Sequence, residues 1–120
     1  MIKFNGLYET KCEYEEDNEE GTQGYLRFYS NGKVISASTE CEATALDLKD
    51  WFNLEMEYLS IGNYKLNGQR IRFSTTSRNG KVNYKGQINK DGTLKLKSKS
   101  LINGYKSREE YLFVKVSGLK

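Results

Sequence analysis

The sequence predicts an all-β fold: an eight-stranded antiparallel up-and-down β-barrel with one short helix between strands 3 and 4. Asn-Gly dipeptides recur at Asn31-Gly32, Asn67-Gly68 and Asn79-Gly80, each between segments of alternating side chains. Asn-Gly tolerates the positive φ that a two-residue type I′ hairpin turn needs at both central positions. Proline is absent, which suits unbroken hydrogen-bond ladders because every residue can donate. Sequential hairpins without a parallel crossover make a meander, and eight twisted strands close most readily into a barrel that leaves no edge.

The first strand is expected over about residues 2–14, with Ile2, Phe4, Gly6, Tyr8 and Cys12 on one parity and Asn5-Gly6 bending it. The acidic stretch Glu13-Tyr14-Glu15-Glu16-Asp17-Asn18-Glu19-Glu20-Gly21 then makes a solvated loop. It lacks the ligand order of a calcium-binding EF-hand loop. Strands over 22–30 and 33–38 flank Asn31-Gly32. A two-residue turn there pairs Phe28 with Ile35 and Leu26 with Ala37 on the inner face, leaving Tyr25, Arg27, Tyr29 and Ser36 outside.

Thr39-Glu40-Cys41-Glu42 reads as a capping box, and Ala45, Leu48, Trp51 and Phe52 follow at helical spacing. The helix is expected to plug the barrel opening, with a lid as the alternative. The fourth strand, over 55–66, points Tyr58, Gly62 and Tyr64 inward. Around Asn67-Gly68 a two-residue turn pairs Tyr64 with Ile71 and Gly62 with Phe73. Around Asn79-Gly80 it pairs Thr75 with Tyr84, Phe73 with Gly86 and Ile71 with Ile88. Both hairpins share the fifth strand, over 69–77, and both put Ile71 and Phe73 inside. A slip of one residue would have inverted that face.

Lys90-Asp91-Gly92 reads as a three-residue loop with Gly92 in the left-handed position. It joins strands over 81–89 and 93–101, pairing Ile88 with Leu94, Gly86 with Leu96 and Tyr84 with Ser98. The last strand spans 110–117. A tight turn at Asn103-Gly104 buries Tyr111 and Phe113, whereas a longer loop buries Leu112, Val114 and Val116; the residues leave both open.

At 120 residues the chain is read as one domain, 1–120, large enough for a single core. Nine Tyr and five Phe oppose disorder despite an apolar share of 37%. No basic and apolar leader and no run of membrane-spanning length is visible, so the expected compartment is cytoplasmic and the expected state monomeric. Cys12 and Cys41 are then expected as free, buried thiols rather than a disulfide. There is no histidine, which removes the imidazole base of Ser and Cys nucleophiles and leaves no four-ligand zinc set. Neither a metal nor another cofactor is expected, and the chain is read as not an enzyme.

The strand order resembles the calycin superfamily, the lipocalin and fatty-acid-binding-protein barrels. Asn5-Gly6-Leu7-Tyr8 looks like the lipocalin Gly-x-Trp start, with Tyr8 replacing the Trp. The late basic residue that caps that end of lipocalin barrels corresponds to Arg108 or Lys115. The resemblance implies a barrel enclosing one small hydrophobic or amphipathic ligand. The inner face agrees with that expectation, because Tyr58, Tyr64, Phe73, Thr75, Tyr84 and Ser98 bring hydroxyls that need partners once buried. Gly62 and Gly86 would leave room beside Phe73.

The outer face carries a second signal. Residues 1–60 hold 5 Lys/Arg and 13 Asp/Glu, whereas residues 61–120 hold 14 and 3. Arg70, Arg72, Lys85, Lys95 and Lys97 all project outward, as do Lys81 and Lys99, and Lys85 is expected opposite Lys97. Such a wall fits an acidic protein or an anionic surface. Exposed aromatics for base stacking do not accompany it, so sequence-specific nucleic-acid binding is not expected. The primary expectation is therefore a small lipocalin-like binding protein. The alternative is a non-enzymatic interaction module that uses its basic face.

Overall fold

Each strand lies antiparallel beside its neighbour in sequence, and the meander then closes on itself. The computed structural model describes residues 2–12, 22–41, 52, 59–77, 80–102 and 104–116. Within them run β1 (Gly6–Glu9), β2 (Thr22–Phe28), β3 (Lys33–Glu40), β4 (Ser60–Asn67), β5 (Arg70–Ser77), β6 (Gly80–Ile88), β7 (Leu94–Ser100) and β8 (Lys106–Lys115). Every neighbouring pair is antiparallel, and β8 returns to β1 to close the barrel.

The turns set the register, and they depart from the expected type in an instructive way. Between β2 and β3, Tyr29 N–H donates to Lys33 O at 2.9 Å and Gly32 N–H donates to Tyr29 O at 3.1 Å. Asn31-Gly32 is thus part of a three-residue loop whose Gly32, at φ 89°, takes the left-handed position. The pairing becomes Phe28 with Val34 and Leu26 with Ser36. This slip of one residue reverses the faces expected for β3: Val34 and Ser36 point inward, while Ile35 and Ala37 point outward.

The β4–β5 turn is Gly68-Gln69, closed by Asn67 and Arg70. Gly68 has φ 62° and no described non-glycine residue has positive φ, so this is a type II′ arrangement with Gly first. It pairs Tyr64 with Phe73 and Gly62 with Thr75. Next, Ser77 pairs with Gly80, placing Phe73 opposite Tyr84 and Ile71 opposite Gly86. Both registers differ from the expected ones by two residues, and a shift of two preserves every face.

Between β6 and β7 the expected register holds throughout, with Ile88 opposite Leu94, Gly86 opposite Leu96 and Tyr84 opposite Ser98. Asn89 N–H donates to Thr93 O at 2.8 Å around that loop, and Gly92 has φ 89°. The β7–β8 connection closes with Ser100 N–H donating to Tyr105 O at 2.8 Å. Leu94 then faces Tyr111, so β8 turns Tyr111 and Phe113 toward the interior.

Two apolar clusters result, one on each side of the wall. The inner one joins Tyr8, Leu26, Phe28, Val34, Ile71, Phe73, Ile88, Leu94, Leu96 and Tyr111. The outer one joins Leu7, Tyr25, Ile35, Phe52 and Val116 across β1, β2, β3 and the chain end beyond β8. Full burial of each such large side chain contributes about 1.5–3 kcal/mol. Arg27 fastens the outer cover: its Nη1 donates to Phe52 O at 2.8 Å, and its guanidinium lies 4.6 Å from the Tyr29 ring centre. Burial lowers the Arg27 pKa.

The helix expected over 39–52 lies largely outside the described residues. At its two described ends the reading changes: Thr39 and Glu40 belong to β3, and Phe52 covers the outside of the barrel rather than plugging its mouth. Tyr58 and the start expected for the fourth strand also lie outside the described residues, as does the 13–21 loop. The first strand is shorter than the expected 2–14.

Cys12 and Cys41 form a disulfide with Cα atoms 5.5 Å apart, which corrects the expectation of two free thiols. It ties the segment after β1 to the end of β3. Gly62 and Gly86 do not open space beside Phe73, contrary to the sequence reading. A Cβ on Gly62 would strike the Ser74 backbone carbonyl, and one on Gly86 the Lys95 carbonyl. These glycines let the neighbouring strand approach closely where the sheet bends.

Candidate functional site

The interior is where the sequence reading placed a ligand, and among the described residues the protein's own rings contact one another there. Phe28 sits at the centre, edge-on to Tyr8 at 5.5 Å, to Tyr64 at 5.2 Å and to Phe73 at 5.5 Å. Phe73 stacks on Tyr84 at 4.6 Å with planes 17° apart. Edge-to-face and offset contacts in this distance range are the favourable aromatic geometries.

Several of the hydroxyls on the inner face find partners within the protein. Tyr64 O–H donates to Tyr29 O at 2.7 Å. Ser36 and Thr75 hydroxyls lie 3.4 Å apart, and both hydrogen-bond the Tyr84 phenol. Lys3 N–H donates to the Tyr8 hydroxyl at 3.0 Å. Ser107 O–H donates to Glu109 at 2.9 Å. Burial pushes the Tyr8, Tyr64, Tyr84 and Tyr111 phenols up, and the negative charge of Glu109, with that of Tyr84 once it ionises, adds to the effect at Tyr111.

Among the expected ligand-lining residues, Tyr64, Phe73, Thr75 and Tyr84 share this interior, and Ser98 faces Tyr84 across β6 and β7. The residues implied by the lipocalin resemblance divide. Tyr8 is fully buried against the central rings, Arg108 is exposed on the outer face opposite Lys97, and Lys115, on the parity of Tyr111 and Phe113, is exposed at the end of β8 opposite Gly6. Lys3 places its ammonium 5.1 Å from the Phe113 ring centre.

The outer face of β4–β8 is organised differently. Lys65 faces Arg72, Arg72 faces Lys85, Lys85 faces Lys97, and Lys97 faces Arg108. Five cations therefore stand in one transverse row across five consecutive strands. Neighbouring strands lie about 4.8 Å apart, so the row is roughly 20 Å long. All five side chains are exposed. Each like-charged facing pair costs about 0.2–1 kcal/mol, and no described carboxylate stands within the row to offset it.

Two open grooves, of ≈ 1090 Å³ and ≈ 1150 Å³, follow this face and share Lys65, Arg72, Lys85, Lys97 and Arg108. The larger one adds Lys81, Lys99 and Lys106, and no carboxylate lines it among the described residues. The other adds Arg70 and Lys95, where Glu109 and Glu110 also enter, Glu110 standing opposite Lys95. The five cations expected on this face, Arg70, Arg72, Lys85, Lys95 and Lys97, are all there.

Lys65 and Arg108 complete the row and were not among the expected site residues. The parity of Tyr64 and Leu66 already sent Lys65 outward. Placing Arg108 required the face of β8, which two readings of the loop left open.

The chain matches no protein-family model, and no curated protein shows significant similarity to it. Among the described residues, no helix is long and apolar enough to cross a membrane, and no group of three or more Cys, Asp or Glu is placed to hold a metal ion.

Proposed function

We propose that this barrel is a non-enzymatic interaction module that holds an extended anion, carried by an acidic protein or an anionic surface, along the outer face of β4–β8. The row Lys65–Arg72–Lys85–Lys97–Arg108 carries the reading. An unrelieved line of repulsive pairs costs folding free energy, and a partner with matching negative charge would turn that cost into attraction. The interior-ligand reading has less behind it, because the described rings contact one another and the Tyr8, Tyr64, Thr75 and Tyr84 hydroxyls have partners within the protein. Kinship with lipocalin and fatty-acid-binding-protein barrels is proposed from the meander barrel and the Gly6-Leu7-Tyr8 start. The Cys12–Cys41 disulfide favours an oxidising compartment, so we place the module there rather than in the cytoplasm.

The test is retention on immobilised heparin over a salt gradient, comparing the native chain with Lys85→Glu plus Lys97→Glu. The native chain should be retained at low salt and released as salt screens the row. The double variant should bind about tenfold or more weakly. Equal retention of the two proteins would remove the row from the account.

A further inference from the structure

We propose that the anionic partner is a lipid bilayer, and that the β7–β8 loop is the wedge that enters it. This rests on the basic-face reading above and adds an independent observation. Among the described residues, the large apolar side chains most open to solvent cluster in this loop: Leu101 is 53% exposed, Ile102 52% and Tyr105 67%. Polar residues would ordinarily fill a hairpin tip. Single exposed apolar residues are common, whereas three within five positions of one loop mark an interaction site.

The cations stand where an anionic bilayer needs them. Lys99 and Lys106 face each other as the last β7–β8 pair before the loop. Leu101 N–H donates to the Lys81 carbonyl at 2.8 Å, which draws the start of β6 against the loop. Ile102 rests beside Gly80, where its side chain occupies the space a Cβ would take. Lys81, Lys99 and Lys106 line the groove that continues into the five-cation row.

An apolar tip backed by lysines is the arrangement by which interfacial segments enter the headgroup region. The apolar side chains pass beneath the phosphates, and long Lys side chains extend along the apolar surface to reach them. Tyrosine, with an apolar ring and a polar end, suits the boundary between the two. An acidic protein would use the cations and leave Leu101 and Ile102 exposed. A bilayer uses both.

The experiment is co-sedimentation with vesicles of phosphatidylcholine alone and of phosphatidylcholine with phosphatidylglycerol in equal parts, run beside heparin retention. The native chain should sediment with the anionic vesicles and not with the neutral ones. Leu101→Ser plus Ile102→Ser should lose about tenfold or more in vesicle affinity while keeping native heparin retention. Leu101→Gln alone, which adds no charge and leaves Ile102 on Gly80, should do the same, and circular dichroism checks that both variants fold. Vesicle binding unchanged in folded variants, or heparin retention by the native chain without vesicle binding, would overturn the bilayer proposal while leaving the basic-face reading standing. Loss of both kinds of binding in the native chain would instead sink the basic-face reading itself.

Discussion

Lys85 faces Lys97 directly across β6 and β7, and on its other side it faces Arg72. The ammonium group of Lys85 therefore stands between two cations. A residue placed for stability alone would carry the opposite charge here. Lys85→Glu should raise stability by a few tenths to about 1 kcal/mol at low salt and lose the gain as salt increases. The same change should weaken polyanion binding. Chemical denaturation at two ionic strengths reads the first effect and heparin retention the second. A variant that is less stable than the native chain at low salt would mean that the lysine is held by contacts other than those argued here.

Gly62 and Gly86 occupy bends where neighbouring backbones leave no room for a Cβ. Gly62→Ala and Gly86→Ala should each cost about 2 kcal/mol or more, because the strand must move rather than a side chain rotate. Urea midpoints measure this. Substitutions that cost no more than an exposed-strand Gly→Ala would show that the bends are soft.

Much of this barrel was legible because strand faces survive some errors. The turns at β4–β5 and β5–β6 differ from those expected, yet each displacement is two residues, so Tyr64, Phe73, Thr75 and Tyr84 stayed inside and Arg70, Arg72 and Lys85 outside. At β2–β3 the same Asn-Gly dipeptide joins a loop one residue longer, and the faces of β3 reverse. Val34 and Ile35 are both apolar because β3 is covered on both sides, so periodicity could not detect the slip. The cover itself, Phe52 held by Arg27, connects residues 25 positions apart and has no local signature. The interior hydroxyls suggested a ligand because their mutual bonds exist only after closure, as with Ser36, Thr75 and Tyr84 from three strands. The disulfide was set aside on an argument about compartment, which the spacing of two cysteines alone could not correct.

Cys12 and Cys41 are 29 residues apart in sequence. Closing a loop of that length restricts the unfolded chain, and Cys12→Ser plus Cys41→Ser should cost about 3–4 kcal/mol. Denaturation of the native chain with and without reductant should show the same loss. If reduction leaves the midpoint unchanged, the bond is not a constraint on the fold.

Burial raises the phenols of Tyr8, Tyr84 and Tyr111 in the folded state. A group that ionises less readily when folded stabilises the fold fully below its unfolded pKa, here about 10. That contribution is lost as pH climbs from there through the raised folded value. Thermal midpoints should therefore fall as pH rises above about 10, and tyrosinate absorbance from these buried rings should appear together with unfolding. Tyr84→Phe keeps the ring on Phe73 and removes one titrating phenol, so its midpoint should decline less steeply with pH. An unchanged slope in this variant would exclude Tyr84 as a contributor.

The central claim, that the transverse row on β4–β8 receives an extended anion, is tested most directly by residue-resolved NMR. Backbone amide shifts would be followed while a heparin-derived oligosaccharide is added at low salt. The account predicts that the largest shifts fall on Lys65, Arg72, Lys85, Lys97 and Arg108 and their immediate neighbours, and that they reverse when salt is raised. No shifts on addition, or shifts centred on the interior residues Tyr64, Phe73 and Tyr84, would contradict it.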